Sequence, residues 1–207
     1  MTTTAMGLRE RKKQATRVAL REAAMRLALE RGPDNVRVED IAEAAGVSPR
    51  TYNNYFSSRE EAIVAAVAAD REARVAAAIA EQPAGARLAS AVTEAIVAQY
   101  TDPGDRHRDA LLLITTHPAL RAAFLDTTTA ITPALEDVIA ARLSETSGLT
   151  ARVLAAAVAA AVRVALEQWL HPAEGIAGFV VPAGSLPEQL RAALAPLDPA
   201  FDAAEGR

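Results

Sequence analysis

Residues 38–56 read VEDIAEAAGVSPRTYNNYF. Val38, Ile41, Ala42 and Ala45 recur at i, i+3, i+4 and i+7, the apolar stripe of a short helix. Glu39 and Asp40 fall in its first turn, where the helix dipole favours negative charge. Gly46 can take the left-handed conformation that ends it. Ser48 is then an N-cap and Pro49 the first residue of a second helix, predicted to reach about Phe56. Two short helices joined by a tight, glycine-containing turn make a helix-turn-helix.

The second helix has two unlike sides. Tyr52, Tyr55 and Phe56 share one side, and the spacing predicts that they pack on the preceding helices. Arg50, Asn53, Asn54 and Ser57 share the other. Arg reads guanine by a two-pronged hydrogen bond, and Asn reads adenine in the same way. Three of the chain's eight aromatic residues are therefore spent within five positions, as an anchor that holds a polar stripe outward.

Upstream, a helix is predicted from about Arg9 to Arg31, with Gly32 closing it and Pro33 blocking its continuation. Leu20, Ala23, Ala24 and Leu27 form its apolar face. Arg9, Arg11, Lys12, Lys13, Arg17 and Arg21 crowd its beginning. Cations there oppose the helix dipole, a penalty that an anionic partner removes. Downstream, Ser58 and Glu61 have capping-box spacing, so a helix should start there and run to about Ala80. Further helices are expected at about 86–100, 106–116, 118–144, 150–171 and 186–195, with Thr150 as a cap. Turns or loops are expected at 82–85, 102–105, 147–148 and 173–184, and a loose tail follows 195.

The whole composition agrees with an all-helical chain. Of 207 residues about a quarter are alanine, the best helix former, and only 4% are aromatic. With no cysteine, disulfides and thiolate metal sites are excluded. The net charge of −4 conceals an asymmetry: residues 1–60 carry eleven Lys and Arg against eight Asp and Glu, and residues 61–207 carry eleven against eighteen. A basic module of +3 thus precedes an acidic one of −7. The start of the chain lacks the apolar run of a signal peptide. The longest unbroken apolar stretch, Val153 to Val162, is about half of a membrane span, so a cytosolic protein without a membrane partner is expected.

Catalysis is not expected, nor a cofactor or metal. His107, His117 and His171 show no metal-ligand spacing, and His117 and His171 each precede a proline at a helix boundary. There is no nucleophile elbow, P-loop or dinucleotide fingerprint. Glu136 and Asp137 are adjacent and point different ways on a helix.

The stretch Val38 to Thr51, continuing through Tyr55-Phe56 to Ser58-Arg59-Glu60-Glu61, resembles the TetR family of bacterial transcriptional regulators. Glu30-Arg31-Gly32 is similar to the end of that family's first helix. The resemblance implies a three-helix DNA-binding domain, set at residues 1–60. A helical domain that dimerises and binds an effector follows, at 61–207. It also implies that Thr51, Tyr55 and the basic residue Arg59 touch phosphates. Arg50, Asn53 and Asn54 would read bases, and Lys12 and Lys13 would add phosphate attraction. Asn53 and Asn54 stand where the family favours larger residues, which points to a different operator. Ala28 stands where the family often has Phe, with Tyr52 as the compensating bulk.

The function expected is a ligand-responsive repressor, a homodimer on a palindromic duplex operator. The alternative is a TetR-like adaptor or regulator without a small-molecule effector. Candidate contacts for a small hydrophobic or amphipathic effector are Leu111, Leu112, Ile114, Phe124, Thr128, Arg163 and Trp169. Arg163 interrupts a very apolar helix. It calls for a partner, either Glu167 four residues on or an anionic ligand. The alanine-rich helices at 150–171 and 186–195 are the expected dimer surface.

Overall fold

The computed structural model describes residues 7–83, 85–101, 108–143, 148–170 and 185–206, and every element among them is helical. The chain divides into two compact units, one of residues up to 67 with 109–124, the other of 68–108 with 125–207. The expected turn at 102–105, the loop at 173–184, Ser147, His107 and His171 lie outside the described residues.

In the first unit, α1 (Leu8–Arg31) packs on α2 (Val38–Ala44), and α2 packs on α3 (Pro49–Tyr52). Leu20, Ala23, Ala24, Leu27 and Ala28 bury the inner face of α1. Gly32, at φ 80°, ends α1 with its N–H on the Ala28 carbonyl. Ile41 and Ala42 are fully buried, but Val38 and Ala45 lie at the rim, and Val36 before the helix is buried instead. α4 (Arg59–Ala80) begins in this unit and passes the boundary after Val67. α6 (Arg108–Thr116) and most of α7 (Pro118–Asp126) also cluster here. His117, between them, donates from Nδ1 to the Leu113 carbonyl at 2.9 Å, a structural role.

In the second unit, α9 (Leu149–Leu170) packs on α8 (Thr132–Leu143) and α10 (Leu186–Leu194). α5 (Leu88–Thr101) packs on α10 and on α11 (Asp198–Glu205). Three expectations fail here. The single helix at 118–144 is split by a 3-10 stretch, Thr127–Ile131. Pro133 has no N–H to give the Thr129 carbonyl, and the Thr128 and Thr129 hydroxyls donate back to the carbonyls of Leu125 and Asp126. Thr150 lies inside α9, and Gly148, at φ 65°, precedes the helix. The loose tail is a folded helix, α11: Phe201 is buried, Asp202 pairs with Arg87, and Glu205 accepts from the Leu88 N–H.

Among the described residues, α9 is the one helix long and apolar enough, by length and composition, to cross a membrane. The unbroken run at 153–162 understated it, because apolar residues resume beyond Arg163. Its inner stripe, from Ala151 through Leu154, Val158 and Val162 to Leu166, is buried in the second unit as a core helix would be.

Candidate nucleic-acid interface

The turn between α2 and α3 is built by backbone hydrogen bonds. Gly46 takes φ 70°, its N–H reaches the Glu43 carbonyl, and the Val47 N–H reaches the Ala42 carbonyl. These two bonds satisfy the last carbonyls of α2 in a Schellman arrangement. Ser48 then caps α3, its Oγ accepting from the Thr51 N–H at 3.1 Å and lying 2.9 Å from Thr51 Oγ1. Pro49 fills the first helical position.

α3 is shorter than its sequence predicts. It ends at Tyr52, and the chain tightens: Asn54 donates to Thr51 and Tyr55 to Tyr52, each three residues back. Asn53 and Asn54 are poor interior helix residues, because their side chains compete for backbone groups. The shortened helix changes where the aromatics go. Tyr52 and Phe56 are buried, with ring centroids 5.9 Å apart. The Arg17 guanidinium sits 5.3 Å over the Phe56 ring. Tyr55, expected in the same anchor, is half-exposed.

The Tyr52 hydroxyl donates to the Ser58 carbonyl at 2.7 Å, tying the end of α3 to the start of α4. Burial, with Glu61 and Glu60 nearby, raises its pKa well above the ordinary tyrosine range. Ala28 and Tyr52 are both fully buried. The capping box at α4 is shared by two serines. Ser58 Oγ accepts from the Glu61 N–H, but Glu61 returns its carboxylate to the N–H and hydroxyl of Ser57.

Arg50, Asn53, Asn54 and Ser57 are all exposed, as a reading face requires. Lys12, Lys13, Thr51, Asn54 and Tyr55 come together with Arg9, Glu10 and Thr16 around an open cleft of about 600 Å³. Its lining carries Arg9, Lys12 and Lys13 against Glu10, a net of +2. The first turns of α1 and the α3 segment therefore share one basic surface, with a phenol, hydroxyls and an amide among the cations. Glu10 and Thr16 were not singled out in the sequence. They sit on the α1 face that carries Lys12 and Lys13, which helical spacing could have revealed.

Arg59 is placed otherwise. Its Nη1 donates to the carbonyls of Asp34 (3.1 Å) and Val36 (3.0 Å), and its Nε pairs with Glu60 at 2.6 Å. The guanidinium expected on a phosphate is folded onto the lead-in to α2, where it braces the helix-turn-helix.

The residues expected at an effector are divided between the two units. Leu111, Ile114 and Phe124 fall in the first unit, the last two buried and Leu111 half-buried; Leu112 is 63% exposed. Thr128, Arg163 and Trp169 fall in the second. Thr128 is buried with its hydroxyl on the Leu125 carbonyl, and Trp169 is exposed. Arg163 is half-exposed and already paired, with Asp126 at 3.0 Å and Glu167 at 2.8 Å, and donates to the Leu125 carbonyl. Both of these carboxylate partners are within the chain, and Glu167 is one of the two partners expected for it.

A family model described as bacterial regulatory proteins, tetR family, matches residues 20–67, and one described as the MftR C-terminal domain matches residues 82–201. The HTH-type transcriptional regulator TcmR of Streptomyces glaucescens is 32% identical over 174 residues, 79% of this chain and 76% of its own length. Among solved structures, FadR of Thermus thermophilus, a TetR-family transcriptional repressor in complex with lauroyl-CoA, matches in fold. Its TM-score is 0.51 at 23% identity, over 87% of this chain and 92% of that one. TetR-family regulators are non-enzymatic proteins that bind DNA and dimerise. With a helix-turn-helix unit at its start, a helical unit beyond it, and matches spanning both, this chain belongs to the TetR family of bacterial transcriptional regulators.

Proposed function

We propose that the protein is a cytoplasmic, ligand-responsive repressor that binds a palindromic operator as a homodimer. The observation that carries this reading is the basic cleft, in which Lys12 and Lys13 share one surface with Thr51, Asn54 and Tyr55. Arg9, Lys12 and Lys13 neutralise phosphates. Thr51 and Tyr55 donate to phosphate oxygens and fix the register. Arg50, Asn53 and Asn54 meet base edges in the major groove. Arg59 serves the same surface from behind, by holding α2 in place.

Residues 1–60 form the reading domain and 61–207 the effector and dimer domain, with α4 as the link. The outer side of α9 presents Leu149, Val153 and Val164, each more than half exposed, in an apolar row with Ala156 and Ala160. That row, with α10, is the dimer surface, and it sets two α3 helices into successive major grooves. An effector in the second domain shifts the dimer between states by binding them unequally. A small hydrophobic or amphipathic compound fits this role, and the lauroyl-CoA complex of the fold neighbour supports it.

A salt-titrated mobility-shift assay on the DNA upstream of the protein's own gene tests the reading. Asn54→Ala should weaken operator binding by about 1–3 kcal/mol, leaving nonspecific binding and the dimer intact. Lys12→Ala should weaken binding to all sequences and lower the salt slope by about one. Unchanged operator affinity in Asn54→Ala would remove Asn54 from the reading face.

A further inference from the structure

The chain carries 22 Lys and Arg, and twenty of them are arginine. The two lysines, Lys12 and Lys13, are adjacent on α1. Both are exposed, and both line the basic cleft with Thr51, Asn54 and Tyr55. Residues 61–207 contain no lysine. Lysine side chains are thus confined to the one surface that this cleft forms.

Arginine would serve a phosphate at least as well there, because its forked guanidinium bonds two oxygens at once. Arg9 does so in the same lining, and Arg11 and Arg17 follow on the same helix. Phosphate attraction by itself therefore gives no reason for lysine at positions 12 and 13. What lysine has, and arginine lacks, is a primary amine whose charge an acyl group removes. The guanidinium keeps its proton. The charge of the cleft hangs on these two residues. Arg9, Lys12 and Lys13 against Glu10 give +2, and without the two lysine charges Arg9 and Glu10 leave zero. Access is open as well. Every residue from Leu8 to Ala15 is exposed, and the cleft of about 600 Å³ has room for an acyl group. A change of charge at such surface positions has little effect on stability.

We propose that Lys12 and Lys13 form an acylation site through which an acyl thioester switches off DNA binding. The neutral ε-amine attacks the thioester carbonyl carbon, the carbon–sulfur bond breaks, and an amide forms as the thiol leaves. One proton per lysine goes to solvent, and each side chain passes from +1 to zero. Bound DNA covers the same amines, so operator occupancy and acylation exclude each other. The proposal rests on the reading of this cleft as the DNA-facing surface, and adds a regulation of it.

Wild-type protein and a Lys12→Arg/Lys13→Arg double variant are incubated with acetyl-coenzyme A, with and without the DNA upstream of the protein's own gene. Peptide mass spectrometry reads the acetyl groups, a salt-titrated mobility shift reads binding, and each protein is compared with its own untreated sample. Acetylated wild type should lose roughly tenfold or more in affinity, and its salt slope should fall by about two. The treated double variant should lose less than about twofold, since its guanidinium groups keep their charge. Reductive dimethylation of wild type modifies the same amines and keeps their charge, so it should also cost much less than acetylation. Bound DNA should slow acetylation of both lysines several-fold. Undiminished binding by doubly acetylated wild type, an equal loss in the double variant or after dimethylation, or lysines left unmodified while a free lysine peptide reacts would overturn the proposal. Protein isolated from its native cells should carry acyl groups on these lysines in at least one growth condition, and their absence throughout would overturn the regulation. Untreated wild type that shifts no DNA would overturn the regulator reading, whereas acetylation that leaves binding intact would overturn only this site.

Discussion

Tyr52 does three things at once. It fills the core of the first unit, packs at a tilt against Phe56, and ties α3 to α4 through the Ser58 carbonyl. Tyr52→Phe keeps the ring and removes only the hydrogen bond, so it should cost about 1 kcal/mol in urea unfolding at neutral pH. The pH dependence has a definite sign. The folded-state pKa of Tyr52 lies above its unfolded value of about 10, because burial and the carboxylates of Glu61 and Glu60 disfavour the phenolate. Its contribution is therefore complete below pH about 10 and is lost as pH rises above that value. Wild-type stability should fall more steeply than that of Tyr52→Phe in alkaline solution. Equal slopes would mean that the phenol is free to ionise in the folded protein. Arg59→Ala should destabilise the first unit by about 1–2 kcal/mol, because the carbonyls of Asp34 and Val36 lose a donor. If Arg59→Ala instead leaves urea stability unchanged while lowering the salt slope of DNA binding, the guanidinium belongs on a phosphate.

At the scale of elements, α3 and α11 depart from their sequence patterns in opposite directions. α3 is shorter than its periodicity, since two asparagines interrupt a helix whose N-cap and aromatics were plain to read. α11 forms where a loose tail was expected, since Asp198 and Pro199 suit a first helical turn only when Phe201 has a core to enter. Phe201→Ala should lower the stability of the second unit by about 3–5 kcal/mol in thermal unfolding. It should also release the chain beyond residue 197 to proteolysis, because the Arg87–Asp202 pair and the Glu205 cap depend on the same docking. A loss below about 1 kcal/mol would show that α11 is held by its exposed ion pair alone.

For the molecule as a whole, the apolar row on the outer side of α9 has no counterpart in the charge pattern of an isolated domain. Val164→Glu places a carboxylate at the C-terminal end of that row. In sedimentation it should halve the mass of a dimer without unfolding the chain, and operator affinity should fall with it. A monodisperse species of unchanged mass would move the interface elsewhere. The acidic balance of residues 61–207 disfavours DNA there relative to the basic residues 1–60.

The helix-turn-helix was legible in the sequence because its determinants lie close along the chain. Gly46, Ser48, Pro49, Ser58 and Glu61 act on backbone groups within about five residues of themselves. Local hydrogen bonds of this kind depend on neighbours in sequence, so spacing alone foretells them. The exposed face of Arg50, Asn53 and Asn54 was readable for the same reason. Tertiary structure alone decided that Tyr55 leaves the core for the basic cleft and that Arg59 turns onto carbonyls more than twenty residues away. It also decided that Arg163 is satisfied within the chain. Arg71 is the sharpest case. Ala68, Arg71, Val75 and Ile79 form one buried stripe on α4, although a cation between Asp70 and Glu72 interrupts its apolar pattern. Burial is a property of what packs against a residue, and the helices that enclose Arg71 come from distant parts of the sequence.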